Sequence, residues 1–151
     1  MPFNFRFLGL VRTILPQAKI IHCRRSPEAT YVSISKQLFN DPQGFAYDLA
    51  ELGCYYVDYK RLMEHWQSLM PNWIMDLHYE DIIVDQEGET RRLLEFCNLS
   101  WDETCLDFHK SDRTVGTARN LQVRRPLYRS SVESWKRHEK HLGPSLNALK
   151  L

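Results

Sequence analysis

Glycine is scarce in this chain: six in 151 residues, scattered at positions 9, 44, 53, 88, 116 and 143. No glycine-rich loop with a serine or threonine and a basic residue occurs anywhere, so the usual backbone cradle for a phosphate is missing. The four cysteines, Cys23, Cys54, Cys97 and Cys105, form no C-x-x-C pair, and the six histidines supply no zinc spacing. They read as reduced, structural thiols in a reducing compartment, and a cytoplasmic setting follows. No apolar run approaches the roughly 20 residues of a membrane span. The opening MPFNFRFLGLVRTILP carries its arginines inside the apolar stretch and does not end in small residues, so no signal peptide is expected. A net charge of +1 leaves no global field to gather nucleic acid or a membrane surface.

Hydrophobic residues make up 43% and aromatic residues 12% of the chain, enough for a packed single domain over residues 1–151. NFRFLGLVRTIL has helical spacing and closes at Pro16. AKIIHC is short and β-branched and reads as a buried strand. Ser26 is a good N-cap, with Pro27 at the first helical position, for a helix to about Leu38. Phe45, Leu49, Leu52, Tyr56, Tyr59, Met63, Trp66 and Met70 alternate steps of four and three, one core-facing stripe of a long helix ended by Pro71. NWIMDLHY reads as a second strand, and EDIIVDQEGE leads into a helix near Thr90–Cys97. LSWDETCLDFHKS reads as a loop and a short helix. SVESWKRHEKHLGP reads as a terminal helix stopped by Gly143-Pro144. Strands alternating with helices predict an α/β fold with parallel strands.

Charge is uneven along this frame. From Arg119 to His141 there are seven Lys or Arg against two Glu. The sharper feature is the junction IIHCRRSPE. A strand that feeds a capped helix brings backbone N–H groups and a partial positive charge to one point, which suits an anion. Arg25 adds a planar fork of donors matched to phosphate. Ser33 lies seven residues beyond Ser26 and returns to the same helix face.

The run from Arg25 through Pro27 to Ser33, after a strand, resembles the 3′-phosphate motif of sulfotransferases that use 3′-phosphoadenosine 5′-phosphosulfate (PAPS). MPFNF, IIHCRR-P, YED, LLEFCNLSWDE and VRRPLYRSSVESWKRHEKHLGP follow in an order similar to the bacterial branch often fused to tetratricopeptide repeats. The tyrosyl-protein sulfotransferases are a more distant likeness. The resemblance covers nearly the whole chain. It implies that Arg25 and Ser33 hold the 3′-phosphate and that Tyr79 contacts the nucleotide. It also implies that Gln122, Arg124 and Arg125 lie in a loop folding over it, with Lys136 of the Trp135–Lys136 pair at the loop's end. One position departs: where relatives can place a further basic residue four after the serine, this chain has Gln37.

By the same resemblance the fold is a parallel-sheet, P-loop-NTPase-like sulfotransferase fold whose N-terminal strand and phosphosulfate loop are missing. That loop, with the catalytic base usually carried on the helix after it, would stabilise the leaving group and take the acceptor proton. The expectation is therefore the C-terminal part of a sulfotransferase domain, binding PAPS or adenosine 3′,5′-bisphosphate (PAP) and serving a hydroxyl-bearing acceptor, incomplete or inactive alone. Glu80, Asp81 and the histidines are the candidate substitute bases; none is assigned, and His22 and His78 read as core residues. A missing strand leaves an open sheet edge, so self-association is expected. The competing readings are a nucleotide-binding fragment without turnover and, ranked lowest, a basic nucleic-acid binder, which lacks a recognition helix or aromatic-bearing strand.

Overall fold

The computed structural model describes residues 3–36, 44–46, 48–110, 127 and 130–148. A 3-10 turn, Asn4–Phe7, runs into helix α1 (Leu8–Ile14). Strand β1 (Ile20–Arg24) follows, then helix α2 (Pro27–Ser35). The long helix α3 (Leu49–Leu69) leads to strand β2 (Ile74–His78). Helices α4 (Tyr79–Val84) and α5 (Gln86–Phe96) come next, and 3-10 turns cover Glu103–Cys105 and Phe108–Lys110. The C-terminal part holds α6 (Ser130–Glu133), a 3-10 segment Ser134–His141, and α7 (Gly143–Ala148).

Three boundaries differ from the sequence-based expectation. Phe45 falls in a separate 3-10 turn, because Asp48 caps α3: its carboxylate accepts the amides of Ala50 at 2.7 Å and Glu51 at 2.9 Å. EDIIV forms α4 rather than a lead-in. The expected terminal helix is largely a 3-10 segment that ends at His141, before Gly143-Pro144, and the same pair then opens α7; proline at a helix's first turn forfeits no hydrogen bond, since that N–H has no partner inside the helix.

β1 and β2 pair in parallel, with Ile20 opposite Ile74, His22 opposite Asp76 and Arg24 opposite His78. Among the described residues they make a two-stranded sheet. This agrees with the parallel α/β expectation. The turn before β2 needs the left-handed region at Asn72 (φ 66°), which asparagine tolerates better than most residues. The Ile20 amide then donates to the Trp73 carbonyl at 3.0 Å and starts the ladder.

Two apolar clusters hold the elements together. Leu8, Met63 and Trp73 pack with Ile20, Ile74 and Trp66 under α1 and the C-terminal half of α3. Tyr31, Val32, Leu52 and Leu142 join α2 and the N-terminal half of α3 to the C-terminal segment, with Trp135 against them. Each fully buried side chain of this kind contributes about 1.5–3 kcal/mol. Gly9 is required where α1 crosses α3: a Cβ there would come 2.9 Å from the Trp66 ring. The same indole donates its N–H to the Phe5 carbonyl at 2.9 Å. Among the described residues no helix is long and apolar enough to cross a membrane, and all four cysteines are free.

Candidate functional site

One face of the strand pair changes character along its length. Ile20 and Ile74 begin it, His22 and Asp76 follow, and Arg24 and His78 end it. α3 lies across this face. A fully apolar strand face would need no polar partners; here a set of side chains supplies them. Asp76 is the hub. One carboxylate oxygen accepts His22 Nδ1–H at 2.7 Å and Gln67 Nε2–H at 2.9 Å, and the other accepts Arg24 at 2.9 Å. An ionised carboxylate only accepts, so His22 carries its proton on Nδ1. His22 Nε2 is then an acceptor for the Tyr59 hydroxyl.

Burial holds the His22 imidazole below its ordinary pKa, and this outweighs the pull of Asp76 towards protonation. For Asp76, burial alone would raise the pKa; the bonds from His22, Gln67 and Arg24 win and lower it. Burial pushes the Tyr59 phenol up to about 12. The layer is a neutral histidine held between a phenol and a carboxylate. His22 is thus half-buried and hydrogen-bonded at both ring nitrogens, an interior role with polar partners.

At the carboxyl ends of the strands lies a cavity of about 430 Å³. Arg24, Arg25, Lys60 and His78 supply its basic groups, Glu80 and Asp81 its acidic ones. Ligands of open α/β sheets bind at this end of the strands. The Arg25 guanidinium stacks over the Tyr79 ring at 5.2 Å, so two of the expected nucleotide contacts come together here from separate parts of the chain. A second cavity, of about 420 Å³, runs along β1, with every residue from Ile20 to Arg25 on its wall. Arg25, Thr30 and Ile34 line it too. Ser33, expected to share the phosphate with Arg25, lies half-buried in the last part of α2 and lines neither cavity.

The backbone part of the anion expectation needs correction. Of the four N-terminal groups of α2, Pro27 has no N–H. The Ala29 amide is capped by the Ser26 hydroxyl at 3.3 Å, and the Ser26 amide donates to Glu80 at 2.9 Å. Only Glu28 remains of the four. The turn does not present several free N–H groups; an anion here meets side chains, Arg25 first. Lys136 is exposed on the 3-10 segment after α6, bonded to Glu133 at 2.7 Å, and lines neither cavity. Gln122, Arg124, Arg125 and Gln37 lie outside the described residues. Sequence reasoning missed Lys60 and Tyr56, which line the strand-end cavity from α3. Lys60 follows Tyr56 by one turn, and that i, i+4 spacing was the available signal.

A parallel strand pair with helices packed on it and a cavity of mixed charge at its carboxyl ends defines an α/β protein. The comparisons make this specific. The sequence model of the sulfotransferase family matches residues 1–103, and the chain belongs to that family. An uncharacterized protein of Aquifex aeolicus (strain VF5) is 41% identical over 152 residues, which is 99% of this chain and 20% of that protein. The omega-hydroxy-beta-dihydromenaquinone-9 sulfotransferase Stf3 of Mycobacterium bovis is 33% identical over 104 residues, 64% of this chain and 26% of that enzyme. The same enzyme of Mycobacterium tuberculosis matches equally. The chain thus spans about a fifth to a quarter of the length of the curated relatives it matches.

Proposed function

We propose that this chain is the part of a PAPS-dependent sulfotransferase domain that holds the 3′-phosphate end of the nucleotide. The observation that carries the reading is Arg25 stacked on Tyr79 beside the basic strand-end cavity. Arg25 supplies a charge-assisted fork for the phosphate, Ser33 a hydroxyl, and Tyr79 an aromatic edge to the site. By the family resemblance Gln122, Arg124, Arg125 and Lys136 are further candidate contacts to the nucleotide; Lys136 lines neither cavity. The full domain has the P-loop-NTPase-like sheet, and the phosphosulfate loop absent from this chain completes sulfuryl transfer to a hydroxyl-bearing acceptor. Four free cysteines fit a reducing, cytoplasmic setting.

Titrating PAP calorimetrically into wild type and Arg25→Ala tests this. Loss of one charge-assisted contact should cost about 1.5–3 kcal/mol of binding. Equal affinity in both proteins removes the assignment. A radiolabelled sulfate-transfer assay separates an enzyme from a fragment that only binds.

Among the described residues the sheet has two strands, and this supports a second statement. Ile21 on β1 is 39% exposed, and the cavity along β1 runs the length of that strand. Exposed strand edges and apolar grooves recruit further strands, so the chain self-associates in isolation. Light scattering on a size-exclusion column should show species larger than the monomer; a monodisperse monomer refutes it.

A further inference from the structure

A turn and a helix start meet at the strand-end cavity, and one hydrogen bond spans them. The turn after β1 carries Arg25 and Ser26; α4, which begins directly after β2, opens with Tyr79 and Glu80. The Ser26 backbone N–H donates to Glu80 Oε1 at 2.9 Å. Beside that bond, the Arg25 guanidinium lies over the Tyr79 ring at 5.2 Å. Neighbouring residues of the turn are thus tied twice to neighbouring residues of the helix start, once through the backbone and once through a stack.

The chemistry explains why a carboxylate is there. Pro27 has no N–H, so the Ser26 amide is the outermost donor of α2. A negative group at the positive end of a helix makes a charge-assisted bond with that donor. The cost is a carboxylate in a cavity that receives a phosphate, where like charges repel. A residue present only to attract the ligand would be basic. Glu80 holds the backbone that carries Arg25 instead.

We propose that Glu80 is a positioning residue for the nucleotide's 3′-phosphate: it clamps the Ser26 amide and so fixes Arg25 on Tyr79. This rests on the reading of Arg25 as the 3′-phosphate ligand. Glu80→Gln keeps an oxygen acceptor and removes the charge; Glu80→Ala removes both. PAP and adenosine 5′-phosphate, which lacks the 3′-phosphate, are titrated into wild type and both variants, and amide hydrogen exchange is followed at Ser26.

Glu80→Ala should weaken PAP binding about tenfold while changing adenosine 5′-phosphate binding by less than about twofold, the loss of one ordered charge-assisted contact. Glu80→Gln should stay within about threefold of wild type for PAP, because the bond survives and a repulsion is gone. The Ser26 amide should be protected in wild type and Glu80→Gln and exchange rapidly in Glu80→Ala. Three results overturn the proposal: wild-type PAP affinity in Glu80→Ala, equal losses for the two nucleotides, or a Ser26 amide as protected in Glu80→Ala as in wild type. A wild type that binds PAP, with Arg25→Ala defective and Glu80→Ala intact, sinks the positioning role alone. A wild type that binds no PAP sinks the 3′-phosphate reading beneath it.

Discussion

The two ends of the β1–β2 ladder differ more than their shared strands would suggest. At the amino end Ile20 faces Ile74, with Trp73, Met63 and Leu8 packed around them. At the carboxyl end Arg24 faces His78, with Arg25, Lys60 and Glu80 at the cavity wall. Between them His22 and Asp76 form a polar step. One end removes apolar surface from water, which supplies stability. The other keeps charged groups close together and half-exposed, which costs stability where the charges are not answered. The midpoint lets one strand pair carry both, because Asp76 satisfies donors from β1 and α3 before the charged end begins.

The comparison can be broken at the apolar end. Met63→Ala removes a buried side chain and should cost about 2–5 kcal/mol of unfolding free energy in urea, depending on how far the site collapses. PAP affinity of the folded fraction should stay near wild type. A loss under about 1 kcal/mol would mean that this cluster does not anchor the ladder.

The polar step gives the next effect. His22 has a folded pKa below the ordinary 6.5, so the unfolded chain takes up the proton first as the pH falls. Stability from this group is complete above about pH 6.5 and is lost below it, at up to about 1.4 kcal/mol per pH unit. Denaturant midpoints between pH 7.5 and 5 should fall in wild type and flatten in His22→Gln. A wild-type midpoint that rises on acidification would contradict the burial argument. Asp76, with its lowered pKa, adds its own loss at more acidic pH, below the histidine window.

The smallest effect sharpens the contrast. Arg25→Ala, which the proposed function expects to weaken nucleotide binding, should change stability by only about 0.5–1 kcal/mol, the worth of its stack on Tyr79. A loss as large as that of Met63→Ala would make the carboxyl end part of the structural core.

Much of this layout was legible from residue order. The Ser26-Pro27 cap, the stripe on α3 and the two short β-branched runs placed the elements, because capping and periodicity are local properties. Arg25 and Tyr79 were named separately, from different motifs. Nothing local said that they would touch, because that depends on the parallel register that sets Arg24 against His78. The supposed cluster of free amides at α2 was misjudged for a similar reason: its occupant, Glu80, is 54 residues from Ser26 in the chain. Gly143-Pro144 follows the end of the 3-10 segment and also opens α7; the stop is legible locally, while the new helix depends on packing of Leu142 and Ser145 against the long helix.

The sequence by itself determined the two strands, the Ser26-capped helix, the core stripe of α3, the family and the chemical type of the junction after β1, since propensity, capping and motif spacing act over a few residues. Only the tertiary structure decided that Asp76 would gather His22, Arg24 and Gln67, and that Glu80 would fill the end of α2. Those choices are made by strand register and helix crossing, where groups far apart in the chain must satisfy one another once water is removed.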